Sequence, residues 1–189
     1  DRSELKMGQA GMALLQDILY KAGIRSVTGR TDTEVKDVQT DSRKVSQGSL
    51  FVAIKGVKTD GHQFIEKAVS NGAVTIVAEE LPGVLKEGVT YVQVENSSLA
   101  AGYIAHNYYG QPSEKLKVVG VTGTNGKTTI ATLLYKLFTA LGYQSGLLST
   151  VQNQIGSRVV EATHTTPDQV SINALLKEMV EAGCTHVFM

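Results

Sequence analysis

Residues 118–129 read Val118-Val119-Gly120-Val121-Thr122-Gly123-Thr124-Asn125-Gly126-Lys127-Thr128-Thr129. A β-branched run leads into a glycine-rich turn, and Lys127 opens an amphipathic segment over residues 130–141. This order of strand, glycine loop and helix is that of a phosphate-binding loop. Glycine lets the backbone curl closely round a phosphate with its N–H groups inward, and the free N–H groups of the following helix add partial positive charge. In that reading Lys127 reaches the β- and γ-phosphates and Thr128 offers its hydroxyl to Mg²⁺. The strict spacing G-x-x-x-x-G-K-[ST] requires glycine where Val121 stands, and Gly120 comes one place early. A plainer reading makes Gly120 and Gly123 turn residues between a buried strand and a helix. Lysine is unfavourable at the positive end of a helix dipole, however, so Lys127 there calls for an anion.

After this loop, residues 145–151 are expected to form a parallel partner of the 118–122 strand, reached by a right-handed crossover. Residues 154–160 form a hairpin with its turn at Gly156-Ser157. In the run His164-Thr165-Thr166-Pro167-Asp168, Thr166 is placed to cap a helix, Pro167 to be its first residue and Asp168 to favour its positive end. The apolar face of that helix carries Val170, Ala174, Leu175, Met179 and Val180, and a buried strand follows over residues 185–189.

Before the loop, helical spacing marks residues 12–22, 63–70 and about 97–109, the last capped by Ser97 or Ser98 and burying Leu99, Tyr103 and Ile104. Strands are expected at 35–39, 50–54, 74–78 and 90–94, with a polar connection after Gly23. Residues 1–11 show no period and are expected to be a frayed end. The fold class that follows is α/β: a small N-terminal α/β domain over residues 1–112, then, over 113–189, the first part of a P-loop domain with a mostly parallel sheet. Two polar stretches leave strand ends in the first domain. Thr40-Asp41-Ser42-Arg43 reads as a turn or as part of a ligand site. Residues 56–62 form a second, glycine-bounded loop.

Eighteen basic and eighteen acidic residues cancel in a chain of 189, so no broad field attracts nucleic acid or an anionic membrane. Phosphate recognition must be local. The single cysteine, Cys184, makes no internal disulfide, and no uninterrupted apolar run is long enough to span a bilayer. Cytoplasm is the expected compartment.

The stretch Gly123 to Thr129 resembles the ATP loop of the Mur ligases and the related folylpolyglutamate synthetases, which use the displaced glycine seen here. Asp41-Ser42-Arg43, residues 48–53 and residues 56–62 resemble the N-terminal domain of Mur ligases, a domain the folylpolyglutamate synthetases lack. Thr165-Thr166-Pro167 is similar to the branch that adds the third residue of the peptidoglycan peptide. The resemblance implies an ATP- and Mg²⁺-dependent amide ligase joining a diamino acid to a UDP-N-acetylmuramoyl-dipeptide through an acyl phosphate. It implies ATP at Gly123, Thr124, Asn125, Gly126, Lys127, Thr128 and Thr129, with Lys127 catalytic and Thr128 on the metal. It also implies uridine-nucleotide contacts from Thr40 and Ser42, with Val57, Lys58 and Thr59 nearby, and a hold on the muramoyl-peptide by Thr165 and Thr166. His164 stands beside them, where a backbone contact or an asparagine is expected.

The family further implies a metal-serving glutamate segment, a carbamylated lysine and a C-terminal domain beyond Met189, so the 189-residue chain alone is expected not to catalyse ligation. The full-length protein is expected to be a monomer. Two other readings stay open at the sequence level: a P-loop kinase or NTPase acting on a small molecule, and a non-catalytic nucleotide-sugar binding module.

Overall fold

The computed structural model describes residues 11–56, 59–161 and 168–189. They divide into two compact units, one ending at Gly110 and the other beginning at Gln111.

In the first unit, β1 (Ala13–Leu14) pairs antiparallel with β3 (Glu34–Val35), and one helical turn, α1 (Leu15–Ile18), follows β1. The expected helix over 12–22 is thus a single turn. Its start is drawn into extended pairing, with the Leu15 and Gln16 amides donating to the Thr33 and Thr31 carbonyls. Leu15, Ile18 and Leu19 are nonetheless buried, as their spacing predicts. The expected polar connection contains β2 (Ile24–Thr28), an exposed edge strand without alternation. The strand expected at 35–39 is broken at Lys36, whose amide donates to Gly48, and resumes as β4 (Asp37–Gln39).

Then come β5 (Ser49–Val52), a 3₁₀ turn at Gly61–Phe64, α2 (Ile65–Ser70), β6 (Thr75–Ala78), β7 (Thr90–Val94) and α3 (Ser97–Tyr108). The sheet order is β2-β7-β6-β5-β4, with β4 to β7 mutually parallel and β2 antiparallel at one edge. β5 and β6 are buried along their whole length, as the apolar runs of strands covered on both faces require. Phe51, Ala53, Ile76, Ala78 and Tyr91 pack with Ile65 and Ala68 of α2 on one face.

α3 is capped by Asn96, whose side chain accepts from the Leu99 amide, rather than by a serine. Its buried side carries Ile104 and the small residues Ala100, Ala101 and Ala105, which let the helix lie close. Leu99 and Tyr103, expected inside, are 64% and 43% exposed on the other side.

The second unit contains β8 (Lys117–Val119), α4 (Lys127–Ala140), β9 (Ser145–Leu147), the hairpin β10 (Gln152–Ile155) and β11 (Arg158–Glu161), α5 (Gln169–Glu181) and β12 (His186–Phe188). The order β11-β10-β9-β12-β8 makes this sheet mixed instead of mostly parallel: β9, β12 and β8 are parallel and the hairpin is antiparallel. β9 is not the direct neighbour of β8. β12, the last strand in the chain, lies between them, so that His186–Phe188 is buried.

Alternation along β12 sends Phe188 towards Ala131 and Tyr135 of α4, and Val187 towards Leu176 and Met179 of α5. α5 is capped by Asp168, which accepts from the Ser171 amide. Helix capping at this end therefore belongs to Asp168, not to Thr166, and the helix begins at Gln169. Thr166 and Pro167 lie outside the described residues, as does the stretch 1–10.

Candidate functional site

Two sets of loops leave the carboxyl ends of parallel strands, where open α/β sheets bind ligands. In the second unit β8 ends at Val119, and the Val121 amide donates to the Met189 carbonyl at 2.6 Å, fixing the loop's exit to the end of β12. The chain then turns through Gly123 (φ +152°) and Gly126 (φ +78°), conformations that an L side chain resists. Gly126 is the N-cap of α4 and supplies no side-chain acceptor, so no cap closes the helix's first turn. Its free N–H groups and dipole are what an anion requires.

Lys127 folds back across this loop, its Nζ donating to the Gly123 carbonyl at 2.5 Å. Thr124, Asn125, Thr128 and Thr129 are exposed around the same turn. The structure thus brings Gly123 to Thr129 together as one exposed loop and helix start. For Mg²⁺, the chain offers the Thr128 hydroxyl here, and the described residues hold no group of three or more His, Cys, Asp or Glu able to bind a metal. One protein oxygen fits a magnesium ion carried largely on phosphate and water, which that ion favours over an all-protein cage.

In the first unit Thr40 leaves β4 and residues 53–60 leave the adjacent β5, so topology sets both at one sheet edge. Asp41 organises its turn. It accepts from the Arg43 amide at 3.0 Å and from the Arg43 guanidinium at 2.7 to 3.1 Å. The guanidinium's hydrogen bonds hold the Asp41 carboxyl down at about 2. Ser42 is buried, and its carbonyl accepts from Asn71 Nδ2 at 3.0 Å.

The Thr59 carbonyl accepts from the Gly56 amide at 3.1 Å. A bridge between Lys55 and Asp60 and the Gly61-to-Ile54 bond pin the loop's base. Val57, Lys58, His164, Thr165 and Thr166 lie outside the described residues.

By sequence Asp60 and His62 read only as part of a polar loop and Ser97 only as a candidate helix cap, but the structure joins them at this edge. Asp60 Oδ1 accepts from the His62 amide at 3.0 Å and meets His62 Nδ1 at 2.6 Å, while His62 Nε2 faces the Glu79 and Glu80 amides at 3.1 and 3.3 Å. The Glu79 carboxylate accepts from both the amide and the hydroxyl of Ser97, each at 2.9 Å, bonds that lower its pKa. Ser97 Oγ also accepts from the Lys55 amide at 3.2 Å. The strand ends of β5, β6 and β7 are tied together in this way. The available signal was Asp60 two residues before His62 at a helix start, an N-cap pattern.

These are two mixed α/β units whose candidate loops sit at the carboxyl edges of parallel strands, the architecture of an open-sheet ligand-binding protein. The Mur ligase family, catalytic domain, profile matches residues 34–109, and the Mur ligase middle domain profile matches residues 121–189. The chain belongs to the Mur ligase family.

It is 56% identical over 176 residues to the UDP-N-acetylmuramoyl-L-alanyl-D-glutamate–2,6-diaminopimelate ligase of Cytophaga hutchinsonii, and 51% identical over 175 residues to that of Bacteroides fragilis. Each match covers 93% of this chain and 36% of the relative, so the chain spans about a third of their length. A solved structure of a 2,6-diaminopimelate ligase of this kind matches with a TM-score of 0.72 at 26% identity, over 87% of this chain and 33% of that one. No helix among the described residues is long and apolar enough to cross a membrane.

Proposed function

We propose that this chain carries the uridine-nucleotide and ATP sites of a ligase that joins 2,6-diaminopimelate to UDP-N-acetylmuramoyl-L-alanyl-D-glutamate. The observation that carries this reading is the uncapped start of α4, entered through left-handed Gly126, with the Lys127 ammonium across the loop mouth. Its relatives bear that activity in their names.

A carboxylate is a poor acyl donor. Transfer of the γ-phosphoryl group of ATP to the terminal carboxylate of the UDP-N-acetylmuramoyl-dipeptide breaks the bond to the β-phosphate oxygen and forms an acyl phosphate. The amine of the diamino acid then attacks the carbonyl carbon, loses a proton, and expels inorganic phosphate as the amide bond forms. In this scheme the amides of Gly123 to Thr129 hold the phosphates in line. Lys127 leaves the Gly123 carbonyl to stabilise the transferred group, a task of positioning and electrostatics. Thr128 holds Mg²⁺, which when bound neutralises phosphoryl charge.

In the first unit, Thr40, Ser42 and Thr59, with Val57 and Lys58, take the uridine nucleotide, and in the second, His164, Thr165 and Thr166 take the muramoyl-peptide. We assign residues 1–112 and 113–189 as the two domains, the whole protein as a cytoplasmic monomer, and Cys184 as a buried, reduced thiol.

Calorimetric titration of the purified chain with ATP and, separately, with a UDP-sugar tests the reading. Both are expected to bind independently, Lys127→Met removing only ATP and Ser42→Ala weakening only the nucleotide-sugar. Binding of ATP alone would favour a small-molecule kinase, and binding of the UDP-sugar alone a non-catalytic module.

A further inference from the structure

The imidazole of His62 lies at the carboxyl edge of the first sheet with both nitrogens engaged and its side chain only 16% exposed. Nε2 faces two backbone donors, the Glu79 and Glu80 amides, so it must present its lone pair to them. The ring proton then belongs on Nδ1, which donates to the Asp60 carboxylate at 2.6 Å. Asp60 in turn holds the base of the 55–60 loop through its bridge to Lys55, and its carboxyl sits below its ordinary pKa chiefly because it accepts from the His62 amide.

We infer that His62 is a positioning residue which, as the neutral Nδ1–H tautomer, clamps Asp60, and with it the Lys55–Asp60 bridge, to the end of β6, and that protonation of Nε2 releases it. The imidazolium would set an N–H against two N–H donors and leave the Glu79 and Glu80 amides without their acceptor. Opposing this, the Asp60 carboxylate attracts the imidazolium. The charged groups facing the ring are Asp60 on its own loop and Glu79 and Glu80 on the β6 end; Glu79 is occupied by Ser97, and Glu80 lies 3.8 Å from Lys55 at the rim. Protonation therefore keeps the Asp60 contact and breaks the one to β6, so the Asp60–His62 pair parts from the strand end. The functional consequence rests on the assignment of Thr59 to the uridine nucleotide: binding weakens as His62 becomes charged.

Nitrogen-detected NMR of the histidine rings, with amide exchange followed from about pH 8 to about pH 5, tests the clamp without any ligand. The expected result is an Nδ1–H tautomer for His62 at high pH. The Glu79 and Glu80 amides are expected to shift with the same midpoint as the ring and to exchange at least about tenfold faster below it, relative to intrinsic rates. His62→Gln, which keeps an acceptor for these amides and cannot be protonated, should abolish the pH dependence. An Nε2–H tautomer, or Glu79 and Glu80 amides indifferent to the titration of His62, overturns the proposal. UDP-N-acetylglucosamine, whose diphosphate keeps its charge over this range, supplies the second arm: its affinity should fall several-fold with pH in the wild type and stay level in His62→Gln. Absence of binding at every pH would count against the nucleotide assignment, while the ring and amide signals would still decide the clamp.

Discussion

Asp41 and Arg43 form a bidentate pair inside a three-residue turn, and the carboxylate also accepts the turn's own amide. Because the folded pKa, about 2, lies below the ordinary carboxylate value, the pair stabilises the fold above pH ~4 and ceases to do so as pH falls towards ~2. Its guanidinium is largely exposed, so screening limits the effect to about 1 kcal/mol. Asp41→Asn, which keeps the acceptor for the Arg43 amide, is expected to be less stable than the wild type at pH 7 by that amount in urea denaturation. The gap should close between about pH 4 and about pH 2. The Asp-Ser-Arg turn was legible from residue type alone, since Asp and Ser bond nearby backbone readily. The role of His62 was not, because its acceptors are the amides of Glu79 and Glu80, seventeen and eighteen residues away along the chain.

Glycines within the loops and strands are required for two different physical reasons. A Cβ on Gly61 would come within 2.7 Å of the Ile54 nitrogen and 2.8 Å of its oxygen, both rigid backbone. Around Gly126 there is open space, and only its left-handed φ of +78° disfavours a side chain. Gly61→Ala is therefore expected to cost about 3 kcal/mol and Gly126→Ala about 1 kcal/mol, read from thermal unfolding, with ATP affinity impaired only in the second. A similar contrast holds within the second unit. Phe188 is 1% exposed and packs in the core beneath α4, whereas Leu133 on α4 is 60% exposed. Phe188→Ala should cost about 3–5 kcal/mol and Leu133→Ala less than about 0.5 kcal/mol. Periodicity located α4 and α5 to within a few residues because an apolar stripe every three to four residues is a local signal. It mistook α1 for a long helix, since the same spacing serves a single turn whose flank is pulled into a β-pair. It also missed β2, whose five exposed residues become a strand only by pairing with β7.

The chain as a whole consists of two units with separate cores, one centred on Phe51 and Ile76 and the other divided by the second sheet between Val187 and Phe188. Residues 11–110 expressed alone are expected to unfold in a single cooperative transition by circular dichroism and calorimetry. In the 189-residue chain, Phe188→Ala should lower the melting of the second unit's amide signals and leave those of the first unchanged. By itself the sequence determined the α/β class, the glycine loop ahead of α4, the hairpin at Gly156-Ser157 and most of the buried strands, because these follow from backbone preference and local hydrophobic period. Only the tertiary structure decided that β12 inserts between β8 and β9, that the second sheet is mixed, that Lys127 reaches back to Gly123, and that Asp60, His62, Glu79 and Ser97 meet at one edge. Those outcomes depend on which distant backbone donors and acceptors are left unpaired once the core closes, and that is fixed by packing, not by neighbours along the chain.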